Sequence, residues 1–237
     1  MIRELTDLLM PRACVVCGRQ LGAQEEQLCI WCAADLPLTY TWERTHNVMA
    51  QRFNQTLEST RPEGESMDYA YAASLLFYHL ENPYKSIPQA LKYHGNIQAG
   101  RYFAAMLGCY LARAPNFASV DTVVPVPLHW RRKWKRGYNQ AQVIAEELAR
   151  ALKAKLRTDL LIRRRNTRSQ TSLDAQERLK NMADVFQLRH RVPAKHILVV
   201  DDTFTTGATL AACHNAIRSA LGPSVRISVA TLAMVED

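Results

Sequence analysis

Residues 197–210 read ILVVDDTFTTGATL: an aliphatic run, two adjacent aspartates, and a turn built from Thr, Gly and Ala. Asp201 and Asp202 fall where a buried strand would end, and Thr205, Thr206, Gly207, Ala208 and Thr209 lead into a helical pattern. Small residues let backbone N–H groups approach an anion closely, a helix N-terminus adds partial positive charge, and threonine hydroxyls add donors. The turn is therefore suited to a phosphate. Carboxylates beside it would repel that phosphate unless they address something else, and vicinal sugar hydroxyls are donors that suit them. The combination asks for a ribose 5-phosphate with free ring hydroxyls. Helix capping accounts for one acid of the pair, not for the whole loop.

Cys14 and Cys17 in CVVCG and Cys29 and Cys32 in CIWC form a second constellation, two Cys-x2-Cys pairs separated by eleven residues. Each tight knuckle aims two sulfurs at one point, and a short hairpin brings the pairs together tetrahedrally, the spacing of a four-thiolate zinc ribbon. The alternative, disulfides, requires an oxidising compartment. Against that, MIRELTDLLMPRACVVCG has acidic residues where a signal peptide has a basic end, and its apolar run is short and broken. Four protein ligands leave no open position, so the zinc would be structural and would supply the module's folding free energy. Cys109 and Cys213 lie in apolar helical patterns and are expected as small buried hydrophobes.

The net charge of +8 is concentrated. From His129 to Arg191 there are 17 Lys or Arg against 6 Asp or Glu, so the remainder nets about −3. This segment is expected to meet a polyanion, and charge alone does not separate a phosphorylated small molecule from a nucleic acid. Trp130 and Trp134, interleaved with Arg and Lys, could stack single-stranded bases, or could be buried beneath a solvated charged face.

The elements that must position these residues alternate. After a strand-like run from Tyr69 to Leu80 come helices over 86–93 and about 99–113, strand TVVPVP, a helix over about 139–156, strands DLLIRR, DVFQL and HILVVDD, a helix over 206–221 and strand VRISVATLAMV. Such alternation implies an α/β fold, a mostly parallel sheet flanked by helices, whose ligands bind beyond the carboxyl ends of the strands. Residues 1–41 are expected to hold a short amphipathic helix (Ile2, Leu5, Leu8, Leu9) and the ribbon. Residues 42–68, polar and without periodicity, read as a linker, and 69–237 as the main domain. The polar excursion through Arg165 to Asn181 is long for a connection, which suggests a lid or a mobile surface. A hydrophobic content of 48% excludes global disorder, and no run of apolar residues is long enough to span a membrane. The cytoplasm is the expected location.

ILVVDDTFTTGAT resembles the signature of the type I phosphoribosyltransferases. The Cys-x2-Cys pairs, ALKYHG at 90–95, PVP followed by RGYNQ, the Arg-rich excursion and this signature together resemble the ComF family of competence-associated phosphoribosyltransferase-like proteins. The resemblance implies a type I phosphoribosyltransferase fold with an N-terminal four-Cys zinc ribbon, and phosphoribosyl pyrophosphate bound with magnesium. It also implies a part in handling single-stranded DNA during natural transformation, with competence proteins as partners. By the same resemblance Asp201 and Asp202 would hold the ribose and Thr205 to Thr209 the 5-phosphate. Arg136, with Arg168 and Arg178 of the excursion, would hold the pyrophosphate. Tyr84 to His94 falls where a hood over the acceptor would sit and lacks any signal for a purine or pyrimidine.

Overall fold

The computed structural model of the chain describes residues 12–60, 68–79, 81–93, 95–128, 134, 137–163 and 185–236. The expected helix at Ile2 to Leu9 and the whole of the Arg165 to Asn181 excursion lie outside these residues.

Five parallel strands form the main sheet, β1 (Ala72–Tyr78), β2 (Thr122–Pro125), β3 (Lys155–Leu156), β6 (His196–Phe204) and β7 (Arg226–Val235), in the order β1-β7-β6-β2-β3. A separate antiparallel pair, β4 (Leu161–Arg163) and β5 (Phe186–Leu188), lies between β3 and β6 in sequence. β6 and β7 are apolar along most of their length because helices cover both faces. On one side Leu198, Val200, Ala230 and Leu232 share a core with α3 (Ser86–Tyr93), α4 (Ile97–Leu111) and α5 (Gln140–Leu152). On the other, Ile197, Val199, Ile227 and Val229 meet α2 (Val48–Thr60), α6 (Ala208–Leu221) and the β4–β5 pair. This is the α/β architecture that the alternation implied.

Several boundaries differ from expectation. The segment read as a polar linker contains α2, whose Met49, Phe53 and Leu57 are fully buried at four-residue spacing. Asn47 opens the helix by accepting from the Ala50 N–H (2.9 Å), and Asn54, itself buried, exchanges two hydrogen bonds with the Ala70 backbone. The helix expected over 139–156 ends at Leu152, where Lys153 turns left-handed (φ 54°) and releases the chain into β3. Cys213 is buried, but Cys109 is exposed on α4, against the expectation of a buried thiol.

The amino-terminal module, which holds α1 (Ile30–Ala34), is continuous with this body. Cys14, Leu21, Leu28 and Cys29 belong to the same apolar cluster as α3 and α4, and Trp42 stacks on Tyr110 with centroids 4.3 Å apart. Residues 37–47 run beside β1: Thr39 N donates to Leu75 O, Phe77 N to Pro37 O, and Asn47 Nδ2 to Ala72 O.

Two histidines are buried in the body. His196 is held between the Ser119 and Ser228 hydroxyls at 2.8 Å each, and His214 Nε2 has no hydrogen-bond partner among the described residues. Burial lowers both to about 4, helped at His196 by the Arg226 charge and at His214 by Arg218. Both are therefore neutral when folded and take up protons on unfolding below their ordinary value of 6.5, so their contribution is full above 6.5 and is lost as pH falls toward about 4. Thermal unfolding at about pH 7 and about pH 5 should give a smaller pH-dependent loss for His214→Leu than for the unaltered chain.

Candidate functional site

The acids, the turn and a pocket meet at the carboxyl end of the sheet. β6 carries Asp201 and Asp202 past the end of β2, whose chain continues alongside through the bond from Val126 N to Val200 O (2.8 Å). A cavity of about 200 Å³ opens there, lined among others by Lys92, Asn139, Arg163, Asp201, Asp202 and Thr209. Asn139 is fixed twice: its side chain caps α5 by accepting from Ala141 N and donates to Val126 O (3.0 Å).

The two carboxylates are unequal. Asp202 pairs with Lys92 Nζ at 3.0 Å, and the same ammonium donates to Thr203 Oγ1 at 3.0 Å. Asp201 accepts from the Asp202 N–H (2.8 Å). Burial, and then the Asp202 charge, push Asp201 up to about 7 against the opposing pull of that N–H, Lys92 and Arg163. Arg163 stands at the end of β4 with its guanidinium carbon 5.4 Å from the centre of the Phe186 ring.

The turn of Thr205, Thr206, Gly207 and Ala208 enters α6 with no side-chain cap, and Gly207 adopts φ +77°. A Cβ there would lie 2.9 Å from the Phe204 ring, so the position requires glycine for space as well as for conformation. The turn is braced from behind by α2. Arg52 donates to Thr205 O (2.9 Å) and Val235 O (2.7 Å), and Thr56 donates to Thr206 O (2.9 Å). In a planar trans peptide the C=O and N–H of one unit point in opposite directions, so anchoring these two carbonyls turns the N–H groups of Thr206 and Gly207 away from α2. The arrangement can hold an anion at the turn and hydroxyl donors at the acids.

Of the residues singled out from sequence, Asp201, Asp202 and Thr209 line one cavity, and Thr205 to Ala208 form the adjoining turn. Arg136, Arg168, Arg178 and Trp130 lie outside the described residues. Trp134 is 87% exposed, which removes the reading that buries it under the charged face. Sequence reasoning placed Lys92 only in the ALKYHG run and the hood segment, with no role at the acids, and missed Arg163; it likewise missed Arg52 and Thr56. The first two face the acids only through tertiary packing, and the last two sat in the supposed linker.

In the amino-terminal module the Sγ atoms of Cys14, Cys17, Cys29 and Cys32 all lie within 4.8 Å of one another, with Cys17 and Cys29 at 3.7 Å. Four sulfurs about 2.3 Å from a tetrahedral zinc are separated by roughly 3.8 Å, so the donor set fits that ion. The knuckles are held by backbone bonds such as Gly18 N to Cys14 O (2.9 Å), and Glu25 ties them together by accepting from Gly22 N and Ile30 N. Tyr84, at the start of the segment leading into α3, donates to Cys32 O at 3.1 Å.

Comparison with known proteins supplies the lineage. The chain is 31% identical over 140 residues to competence protein F of Haemophilus influenzae, covering 56% of this chain and 60% of that protein. It is 38% identical over 91 residues to DNA utilization protein YhgH of Escherichia coli K12, 38% of this chain and 40% of that protein. It is 32% identical over 115 residues to competence protein ComFC of Bacillus subtilis, 48% of this chain and 44% of that one. The chain is homologous to these proteins. The matches span 40% to 60% of the relatives' own lengths, and no family model matches the chain. Among the described residues no helix is long and apolar enough to cross a membrane.

Replacing Gly207 by Ala combines a left-handed φ with a 2.9 Å contact on Phe204. The expected cost is about 1–3 kcal/mol of unfolding free energy, to be read from urea denaturation.

Proposed function

We propose that the chain binds phosphoribosyl pyrophosphate with magnesium in the cavity beyond β6 and β2, in the service of DNA uptake. The observation that carries this reading is the meeting of an acid pair and a glycine-turned helix start at one cavity. Asp201 and Asp202 accept the ribose hydroxyls, and the turn from Thr205 to Thr209 receives the 5-phosphate. Arg136, Arg168 and Arg178 take the pyrophosphate, an assignment that rests on the resemblance alone. Magnesium, when bound with the ligand, would supply neutralisation of the phosphate charge. The site suits a phosphoribosyl transfer, in which the bond from the anomeric carbon to pyrophosphate breaks as an acceptor bond forms. The link to DNA rests on the names of the homologues, competence protein F and DNA utilization protein YhgH. The four cysteines hold a structural zinc.

Calorimetric titration with phosphoribosyl pyrophosphate in magnesium tests the site. Asp201→Asn combined with Asp202→Asn should weaken binding by about 100-fold, the scale of two lost charge-assisted hydrogen bonds, with zinc content unchanged. Equal affinity for the double variant and the parent overturns the assignment.

A second reading is favoured by one observation, the exposure of Trp134 within RRKWKR. In it the chain is a non-catalytic module that binds single-stranded DNA or competence proteins through its basic belt. Trp134→Ala should then weaken binding of a single-stranded oligonucleotide by about 1–3 kcal/mol, in a strongly salt-dependent titration, while leaving the sugar-phosphate titration unaltered.

A further inference from the structure

We propose that Lys92 is a ligand-binding residue of the sugar-phosphate site, the built-in cation that allows a doubly acidic strand end to accept a phosphorylated ribose. The inference rests on the reading of the site given above and adds to it a residue and a role.

Lys92 belongs to the last turn of α3 and reaches the acids from a different core layer than α6. Its ammonium bridges Asp202 Oδ1 and Thr203 Oγ1, each at 3.0 Å, and it lines the same cavity as Asp201 and Thr209. The side chains of Lys92 and Asp202 are only 24% and 14% exposed, so their charges are screened less by water than a surface pair would be. The backbone that carries Lys92 is held at the preceding residue. Leu91 is fully buried against Gly100, and its carbonyl accepts from the Tyr138 hydroxyl, which belongs to the run leading into Asn139 and α5.

The physical problem that Lys92 answers is repulsion. A phosphate entering the turn before α6 approaches two adjacent carboxylates, and the ligand's hydroxyls can reach those carboxylates only if its phosphate tolerates their charge. An ammonium on Asp202 offsets one of the two charges while leaving carboxylate oxygens able to accept. Arg163, beside Asp201, is the second cation of the cluster. An ammonium has three N–H donors, and Asp202 and Thr203 account for two of the bonds, so it can also meet a ligand oxygen directly.

The test is calorimetric titration of the full chain with ribose 5-phosphate and with phosphoribosyl pyrophosphate, comparing the parent with Lys92→Met, Lys92→Gln, Lys92→Arg, Asp202→Asn and the double variant Lys92→Met with Asp202→Asn. Both neutral variants should bind each ligand about tenfold or more weakly, and Lys92→Arg should stay within about threefold of the parent. In the double variant the loss should be smaller than the Lys92→Met and Asp202→Asn losses combined, because without Lys92 the Asp202 charge itself opposes the ligand's phosphate. Unchanged affinity in the neutral variants, or a double variant as weak as the two single losses combined, overturns the role of Lys92 alone. A parent chain that binds neither ligand overturns the sugar-phosphate site itself, and this inference with it.

Discussion

Two neighbouring carboxylates at the end of a strand buried on both faces must be compensated before anything else at that sheet end can form. Compensation comes from three directions: the Asp202 N–H folds back on Asp201, Lys92 arrives from α3 on one face, and Arg163 from β4 on the other. The acid pair thereby ties the two core layers together at the mouth of the sheet. Compensation is also incomplete, as the raised Asp201 records. A carboxyl left short of donors in a cavity is receptive to hydroxyls, so the incomplete compensation of the strand end is also what would make the proposed site accept them.

The loop that completes the site is held on a different principle. Its own residues are small and supply little packing, so its shape is imposed by α2, through Arg52 and Thr56 on two carbonyls and Phe53 beneath Gly207. Arg52 also reaches Val235 at the end of β7, which fixes the loop against the neighbouring strand. A helix with no ligand-facing residue of its own thus sets where the loop's amides point.

Much of this was legible in the sequence, for physical reasons. The apolar strands β6 and β7 announce themselves because burial on both faces demands continuous hydrophobicity. The knuckles are legible because thiolate geometry constrains spacing, and the acid pair because like charges at the end of such a strand need a reason. What stayed hidden depended on tertiary placement. In α2 the signal was present in Met49, Phe53 and Leu57, but nine polar or small neighbours among thirteen residues diluted it, and buried Asn54 works there only because Ala70 satisfies it. Lys92 lies in the ALKYHG run, but neither it nor Arg163 could be set against the acids from sequence, since a surface lysine and a pocket lysine look alike until another chain segment is set against them. The early end of α5 turned on Lys153 adopting a left-handed conformation, which favours Gly or Asn and gives no warning when Lys takes it.

The passage of residues 37–47 beside β1 has a further meaning for the life of the chain. An unguarded outer strand offers a row of free amides and carbonyls to any other molecule that can align with it, the usual route to sticky, self-templating assemblies. Here that row is occupied by Pro37, Thr39 and Asn47, while the opposite margin of the sheet is a strand of only two residues, one of them Lys155. Because this guard precedes β1 in the chain, it leaves the ribosome before the strand that it shields. Residues 37–47 are thus already synthesised when β1 emerges, and their bonds to Ala72, Leu75 and Phe77 cover its outer margin.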